Sequence, residues 1–449
     1  MPDATSRALD ERLGLEAESD VRALGVSRVR AWTLTCLAML ALSVTLIDRQ
    51  ALAALAVSVT GSIGISEFAY GWLSTAFAGA YLLGSLPAAR LIQRIGPRWG
   101  LAVTLAATSL VTGLHGSVTS FWALLVLRVA LGLAVAPAFA CAAQTVHFVL
   151  PFKDRARGIG MLYMGNSLGS ALCPPISVGL ASLCGWSDAF AWVGMIGIVW
   201  VPFWVATAFG GQVRSTLDSL RPPPLADRST KRSSQDTLRS TFAQVLANPA
   251  ALRGILVVAA AAPVTTIMLI WGAKYLARDH GLVQGEVGRY LWLPALLFGS
   301  SSLLFGELRA RSARTRARTR PPRLLLTVAA LLAMLIAAVP LAHEPRTCVL
   351  IASVAMMGSG GLYTLATTDI LTHSRAGTIP IATGLTTLTQ SLVYIVVSPI
   401  IGKTVERCGN YDWVMMAAGL WVIPGCVYWL VHASLGPRAA RPLIARRQV

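Results

Sequence analysis

The sequence predicts an all-α membrane protein with twelve transmembrane helices arranged in two six-helix bundles. Charged residues make up only 13% of the 449 residues, while hydrophobic residues make up 55%. Ordinary globular proteins carry about 25% charged residues, so this composition disfavours a soluble enzyme. Apolar runs of the ~20 residues that cross a bilayer recur along the chain, and one polar stretch divides them into two sets of six.

The first half begins after a charged tail, residues 1–30, in which no secretory signal is present. We expect this tail to be cytoplasmic. The first predicted bundle covers residues 31–209. Its six predicted spans are 31–59, 68–91, 101–115, 121–149, 158–183 and 188–209.

The second half follows a linker, residues 210–248, where three consecutive prolines lie among Ser, Arg and Asp. The second predicted bundle covers residues 249–432, and a basic tail, 433–449, ends the chain. Its six predicted spans are 252–277, 287–306, 324–341, 347–370, 379–402 and 413–431.

The basic residues predict the orientation of these spans. Of the 38 Lys and Arg residues, 30 fall in the tails, the linker and the connections on the same side, and five fall on the opposite side. Because short cytoplasmic loops are enriched in Lys and Arg, both termini and the linker are predicted to be cytoplasmic. The charge of +18 therefore indicates topology and contact with anionic lipid rather than nucleic acid.

An internal repeat supports the two halves. At an offset of 224 residues, span 5 and span 11 share a pattern in which Asn166 and Ser167 correspond to Gln390 and Ser391. Two equivalent six-helix halves are typical of transporters that bind substrate between the halves.

Catalysis and metal binding lack a sequence signature. The seven cysteines are scattered without CxxC or Cys/His spacing. No Walker motif, nucleophile elbow or HExxH motif occurs. We therefore predict no enzyme activity, no metal and no cofactor.

Five segments carry a family resemblance. In the first half they are 46–52 (LIDRQAL), 77–81 (FAGAY), 150–155 (LPFKDR) and 185–190 (GWSDAF), and in span 7 it is 271–276 (WGAKYL). Taken in order, they resemble motifs of the anion:cation symporters, the branch of the major facilitator superfamily that includes hexuronate and galactonate carriers. The resemblance implies the major facilitator fold, alternating access and an organic-anion substrate.

Two positions depart from that family pattern. Gln93 stands where the superfamily usually has Asp in the turn after span 2, and Val135 stands where many of these symporters have a membrane-embedded Glu. That Glu is commonly assigned to proton coupling, so proton symport by this chain is an open prediction.

Charged residues inside spans are the first candidates for function, because each costs at least ~2.5 kcal/mol on insertion scales unless it is compensated. Arg49 is predicted to bind a substrate carboxylate, since its planar guanidinium matches that group bidentately. Asp48 is the one acid clearly in the middle of a span, and it is predicted either to couple transport to protons or to neutralise Arg128. Lys274, near the outer end of span 7, is predicted to attract the anion or to extend to water.

Polar side chains near mid-membrane complete the predicted substrate site. They can bind a hydroxylated substrate or join helices. They are Tyr81, which the family resemblance also supports, with Asn166, Ser167, Tyr363, Thr387 and Gln390.

These observations predict a secondary active transporter that moves a small carboxylated compound, such as a sugar acid, across the inner or plasma membrane. A proton or another ion is the predicted coupling partner, and we expect a monomer in contact with membrane lipid. The first alternative is an exporter or facilitator of drug-like or secondary-metabolite compounds. The second is a ligand sensor that does not transport.

Overall fold

A computed structural model describes residues 27–209, 249–315, 323–373 and 379–432 of the chain, and all regular structure in those residues is helical. The predicted linker and the predicted C-terminal tail lie outside the described residues. Residues 1–26 of the predicted N-terminal tail lie outside them as well. Nine segments of the described chain are long and apolar enough to cross a membrane. The all-helical fold predicted from the sequence is confirmed.

Six helical passes form the first half, and a single non-helical glycine separates span 2 from span 3 and span 5 from span 6. Gly96 and Gly185 have φ angles of 77° and 85°, which glycine adopts without the steric cost that other residues incur. Span 1 is Arg28–Ala54 and continues as Ala56–Ile63; spans 2 and 3 are Glu67–Leu114; span 4 is Phe121–Val135 and Ala138–Val149; spans 5 and 6 are Phe152–Ala208.

The second half also contains six passes. The first of them, span 7, contains a π-helical turn at Ile267–Trp271, between Pro249–Thr266 and Gly272–His280. The others are span 8, Gln284–Thr315; span 9, Arg323–Met334 with the 3₁₀ turn Leu335–Leu341; span 10, Pro345–His373; span 11, Ile379–Cys408; and span 12, Asp412–His432.

Several helices are longer than the apolar runs that predict them. Span 11 was predicted to end at residue 402, but its helix continues to Cys408. Backbone hydrogen bonding continues a helix beyond the bilayer, whereas hydropathy detects only the part that is apolar.

Small residues bring the helices of the first half close together. A Cβ atom at Gly165 or Gly169 would meet the backbone of Met39 or Ser43 on span 1, and one at Gly132 would lie 2.5 Å from the Phe77 carbonyl oxygen on span 2. Close approach of this kind is typical of membrane helices. It fixes spans 1, 2, 4 and 5 around the polar residues described below.

We call the end of the bundle where Arg28 and His432 lie the terminal end, and the opposite end the distal end. The two halves contact each other at the distal end. Gln284 on span 8 accepts a hydrogen bond from the Ser58 backbone N–H and donates one to the Ala54 carbonyl, at 3.1 and 2.6 Å. The Tyr70 hydroxyl donates to the Ile270 carbonyl in the π-helical turn, at 2.9 Å.

Candidate substrate site

Asp48 lies fully buried in the middle of span 1. Its Oδ2 atom accepts a hydrogen bond from the Ser109 hydroxyl on span 3 at 2.9 Å, and Thr112, one turn along span 3, lies beside the same carboxyl group. Within the described chain, Oδ1 has no hydrogen-bond partner. The carboxyl group is thus held on one side and unsatisfied on the other.

Arg49 is half-buried and lies against two aromatic rings of span 2. Its guanidinium carbon is 5.1 Å from the centre of the Phe77 ring and 5.5 Å from that of Tyr81. Such cation–π contacts contribute on the order of 0.5–2 kcal/mol. No acidic residue of the described chain forms an ion pair with Arg49. Its charge is therefore available to an anion.

Arg128 on span 4 belongs to the same cluster. It is 5% exposed, its Nη1 donates to the Arg49 carbonyl at 3.3 Å, and its guanidinium carbon is 6.0 Å from the centre of the Phe77 ring. Its Nε and Nη2 atoms are buried without a hydrogen-bond partner among the described residues. Asp48 and Arg128 form no ion pair among the described residues, so the alternative that Asp48 neutralises Arg128 by direct pairing is not supported. Instead, Ser109 donates to the Asp48 carboxyl group, and Arg128 donates to a backbone carbonyl of span 1.

A second polar cluster lies in the other half. Gln390 donates from Nε2 to the Tyr394 hydroxyl at 3.1 Å, and that hydroxyl is 3.0 Å from the Thr265 hydroxyl on span 7. Tyr363 lies close enough to Thr265, Gln390 and Tyr394 to interact with them electrostatically. Its hydroxyl group is buried without a hydrogen-bond partner in the described part of the chain. Unsatisfied buried hydroxyls are free to bind a hydroxylated ligand.

Sequence reasoning missed two members of this second cluster, Thr265 and Tyr394. Tyr394 was detectable, because it follows Gln390 by four residues and therefore lies on the same helix face. Thr265 belongs to the cluster only because span 7 packs against span 11, and the sequence does not show that packing.

The two clusters meet at span 2. Tyr394 packs against Ala78 and Ala262. Ala78 precedes Tyr81 by three residues, which places them one above the other on the helix. Span 2 therefore contacts both clusters, through Ala78 on one and through the rings of Phe77 and Tyr81 on the other.

Span 5 contributes Asn166 and Ser167. The Oδ1 atom of Asn166 is buried without a partner among the described residues, while the Ser167 hydroxyl donates to the Tyr163 carbonyl at 3.3 Å. Ser167 also packs against Gly299 of span 8. Ser167 therefore lies on the side of span 5 that faces the other half.

A small cavity of about 20 Å³ lies between the halves. It is lined by Gln50, Ser170 and Cys173 from the first half and by Met268, Leu269 and Leu291, among others, from the second. Its volume is enough for about one water molecule and is well below the ~300–1,000 Å³ of small-molecule sites. Gln50 follows Arg49 in span 1, but Arg49 itself does not line the cavity.

Lys274 and Thr387 lie apart from these residues. Lys274 donates to Thr60 at 2.9 Å, and Thr60 is eleven residues beyond Arg49, about 16 Å along a helix. Thr387 is exposed and lies one turn from Gln390 on span 11. The structure thus brings together Asp48, Arg49 and Tyr81 in one cluster and Tyr363 and Gln390 in the other, with Lys274 at the distal end.

The charge of the first cluster determines what it can bind. When Asp48 is ionised, its carboxylate and the two guanidinium groups carry a net charge of +1, in surroundings where an unpaired charge is costly. An organic anion that enters the cluster then brings that charge to zero. The second cluster then offers hydroxyl and amide groups to the rest of the molecule.

Comparisons with known proteins find similarity to transporters of sugar acids. The chain is 27% identical over 177 residues to the probable L-galactonate transporter of Escherichia coli K12, a match that spans 39% of each chain. It is 21% identical to the hexuronate transporter of the same strain, across 89% of this chain and 93% of that one. Its fold is similar to that of a bacterial homologue of the human lysosomal transporter Spinster, with a TM-score of 0.72, 17% identity, and coverage of 92% and 98%.

The family assignment rests on a match over most of the chain. Residues 34–392 match the model of the Major Facilitator Superfamily. The family and these relatives are transporters, not enzymes. With its helical fold and many apolar spans, the chain belongs to the Major Facilitator Superfamily and is an integral membrane transporter.

Proposed function

We propose that this protein transports a sugar acid or a similar small carboxylated compound by alternating access, with the substrate carboxylate bound by Arg49. The observation that supports the proposal is the pair of guanidinium groups around Phe77 that have no acid partner in the described chain. The names of the relatives point to the same substrate class.

In this proposal the two halves bind different parts of the substrate. Arg49 and Tyr81 hold the carboxylate, while Asn166, Ser167, Tyr363, Gln390 and Thr387 line the path of its hydroxyl groups. Lys274 acts on the anion at the distal end. Because the substrate contacts both halves, its binding favours the conformations in which the halves are closed around it.

Proton coupling is part of the same proposal and depends on Asp48. Protonation of Asp48 raises the net charge of the cluster from +1 to +2, which strengthens anion binding. By thermodynamic reciprocity, a bound anion strengthens proton binding by the same factor. Asp48 can thus link the two events without a second carboxyl group.

A facilitator that moves its substrate without protons is the second candidate. Val135 packs against Phe77 and Leu131 in an apolar cluster, so the described part of span 4 has no acid beside the guanidinium groups. Drug-like or secondary-metabolite compounds are the substrates that this alternative favours.

We further propose that the protein lies in the inner or plasma membrane as a monomer, with both termini and the terminal end in the cytoplasm. The basic residues that surround the terminal end support this orientation.

The test is a counterflow screen in proteoliposomes. Labelled D-galactonate and D-glucuronate should exchange, whereas D-galactose, of similar size but without a carboxylate, and a cationic drug should not. An inward-directed proton gradient, with the outside more acidic, should drive accumulation of the substrate if its transport is coupled to protons. Exchange of the neutral sugar at the rate of the acids would contradict the assigned role of Arg49.

A further inference from the structure

At the distal end, one carboxylate of the first half binds two cations of the second. Glu67, at the start of span 2, places Oε2 3.1 Å from Lys274 Nζ and Oε1 3.5 Å from Arg278 Nη1. Lys274 is 6% exposed and the Glu67 side chain 14%. An ion pair this buried depends on both partners, because loss of one leaves a charge without compensation.

The surrounding contacts hold the same helix ends together. The Phe68 backbone N–H donates to Glu406 of span 11 at 2.8 Å. A Cβ atom at Gly402 would meet the Glu67 carbonyl oxygen at less than van der Waals distance. Lys274 also lies 5.0 Å from the centre of the Tyr70 ring. Spans 2, 7 and 11 therefore converge on Glu67.

The two cations lie on one face of span 7. Lys274 and Arg278 are four residues apart, so both point toward the same neighbour. The adjacent acid, Asp279, accepts a hydrogen bond from the Tyr411 backbone N–H at 3.0 Å. When the halves separate at this end, Glu67 stays with the first half and the two cations stay with the second.

We propose that Glu67 is an internal anion that closes the distal end: it occupies Lys274 and Arg278 in this conformation and leaves them to an incoming organic anion when the halves separate there. The anion part of this inference rests on the proposed function. The closing part does not, because it concerns only contacts between the halves.

The closing part is tested by access to a cysteine beneath the contact. Ala53 lines the cavity between the halves, and Ala53→Cys in a background without the native cysteines gives a site for a membrane-impermeant maleimide. In right-side-out vesicles, Glu67→Gln should accelerate labelling by about tenfold or more, since it removes the partner of two cations. Lys274→Gln should accelerate it as well, and the double variant should be no faster than the faster single variant.

The matched control is Glu286→Gln. Glu286 is an exposed acid at the same end, and its Oε2 accepts a hydrogen bond from the backbone N–H of nearby Val283. Its removal should leave labelling unchanged. Labelling of Ala53→Cys that stays at the control rate in Glu67→Gln would overturn the closing role.

The anion part is tested where the closing contact is already absent. In the Glu67→Gln background, Lys274→Gln should raise the external D-galactonate concentration for half-maximal counterflow by about tenfold, since one charged contact is lost. Lys403→Gln, which removes an exposed lysine of span 11, should not. An unchanged concentration in the double variant would overturn the anion role of Lys274. If the wild type exchanges no sugar acid, the proposed function fails, whereas the labelling result still decides the role of Glu67.

Discussion

At the scale of single residues, Arg49 and Arg128 differ in how deeply their side chains are buried and in what their guanidinium groups contact. Arg128 is buried and donates one hydrogen bond to the chain at Arg49. Arg49 is half-buried against Phe77 and Tyr81. Because Arg49 is the more exposed of the two, it is the better placed to contact a ligand, and Arg128 adds positive charge beside it.

We predict that Arg49→Lys impairs sugar-acid exchange nearly as much as Arg49→Ala does. Lysine keeps the charge but loses the planar pair of donors that matches a carboxylate, so apparent affinity should fall by about 10- to 100-fold. Counterflow with labelled D-galactonate measures the effect. Arg289→Lys, at an exposed position of span 8, should behave as wild type. Wild-type exchange by the Arg49→Lys variant would remove Arg49 from the site.

We predict that Asp48→Asn abolishes accumulation driven by a pH gradient but leaves exchange intact. Exchange requires the substrate-bound conformational change without net proton movement, whereas accumulation requires a group that alternates between charged and neutral. Both are measured in the same proteoliposomes. Asp188→Asn, an exposed acid at the distal end, is the control. Accumulation that persists in Asp48→Asn would point to another coupling ion or group.

The sequence identified charged residues of the site more readily than hydroxyl residues. Asp48, Arg49 and Lys274 were detectable because ions are rare within apolar spans. Thr265 was not, because Thr in a membrane helix usually bonds its own backbone, as Thr265 also does at Ala262. The partner of Lys274 was equally hidden, since Glu67 belongs to the other half of the chain.

At the scale of helices, glycines determine how closely the site-bearing spans approach. Gly132 of span 4 faces the Phe77 carbonyl and the Tyr81 backbone nitrogen, at 2.5 and 2.9 Å from the position of a Cβ atom. The same two residues of span 2 contact Arg49 with their rings. The width of this crossing therefore controls the position of the aromatic pair.

We predict that Gly132→Ala destabilises the protein by about 1–3 kcal/mol, because the methyl group must displace backbone atoms of span 2. The midpoint of thermal unfolding in detergent measures the change, and apparent substrate affinity should fall with it. Gly79→Ala is the matched control, since no atom lies within 4 Å of its Cβ position. Equal midpoints for the two variants would show that the crossing relaxes freely.

At the scale of the whole molecule, the number and order of helices followed from hydropathy, but the form of their connections did not. Spans 2 and 3, within Glu67–Leu114, are separated by a kink at Gly96, whose φ and ψ of 77° and 161° are non-helical. Hydropathy shows two apolar runs with a charged turn between them, but not that one non-helical residue is enough to join them. The break of span 7 into a π-helical turn has no signal in the apolar pattern.

We predict that cysteines introduced at Asp279 and Glu344 react with an impermeant maleimide from outside the cell, whereas cysteines at Ser229 and Thr315 react only after permeabilisation. The distribution of basic residues between the two sides is the physical reason. Labelling of intact cells at Thr315 would reverse the proposed orientation.

The π-helical turn of span 7 also determines which way the rest of that span faces. One extra residue in a turn shifts every following side chain by about 100° around the axis relative to an uninterrupted α-helix. The segment Gly272–His280 follows the turn, so its angular phase depends on that extra residue. Deletion of one residue within Ile267–Trp271 would rotate Lys274 and Arg278 away from Glu67 together. The meeting of the two halves at the distal end is thus encoded in the length of span 7 as much as in its charges.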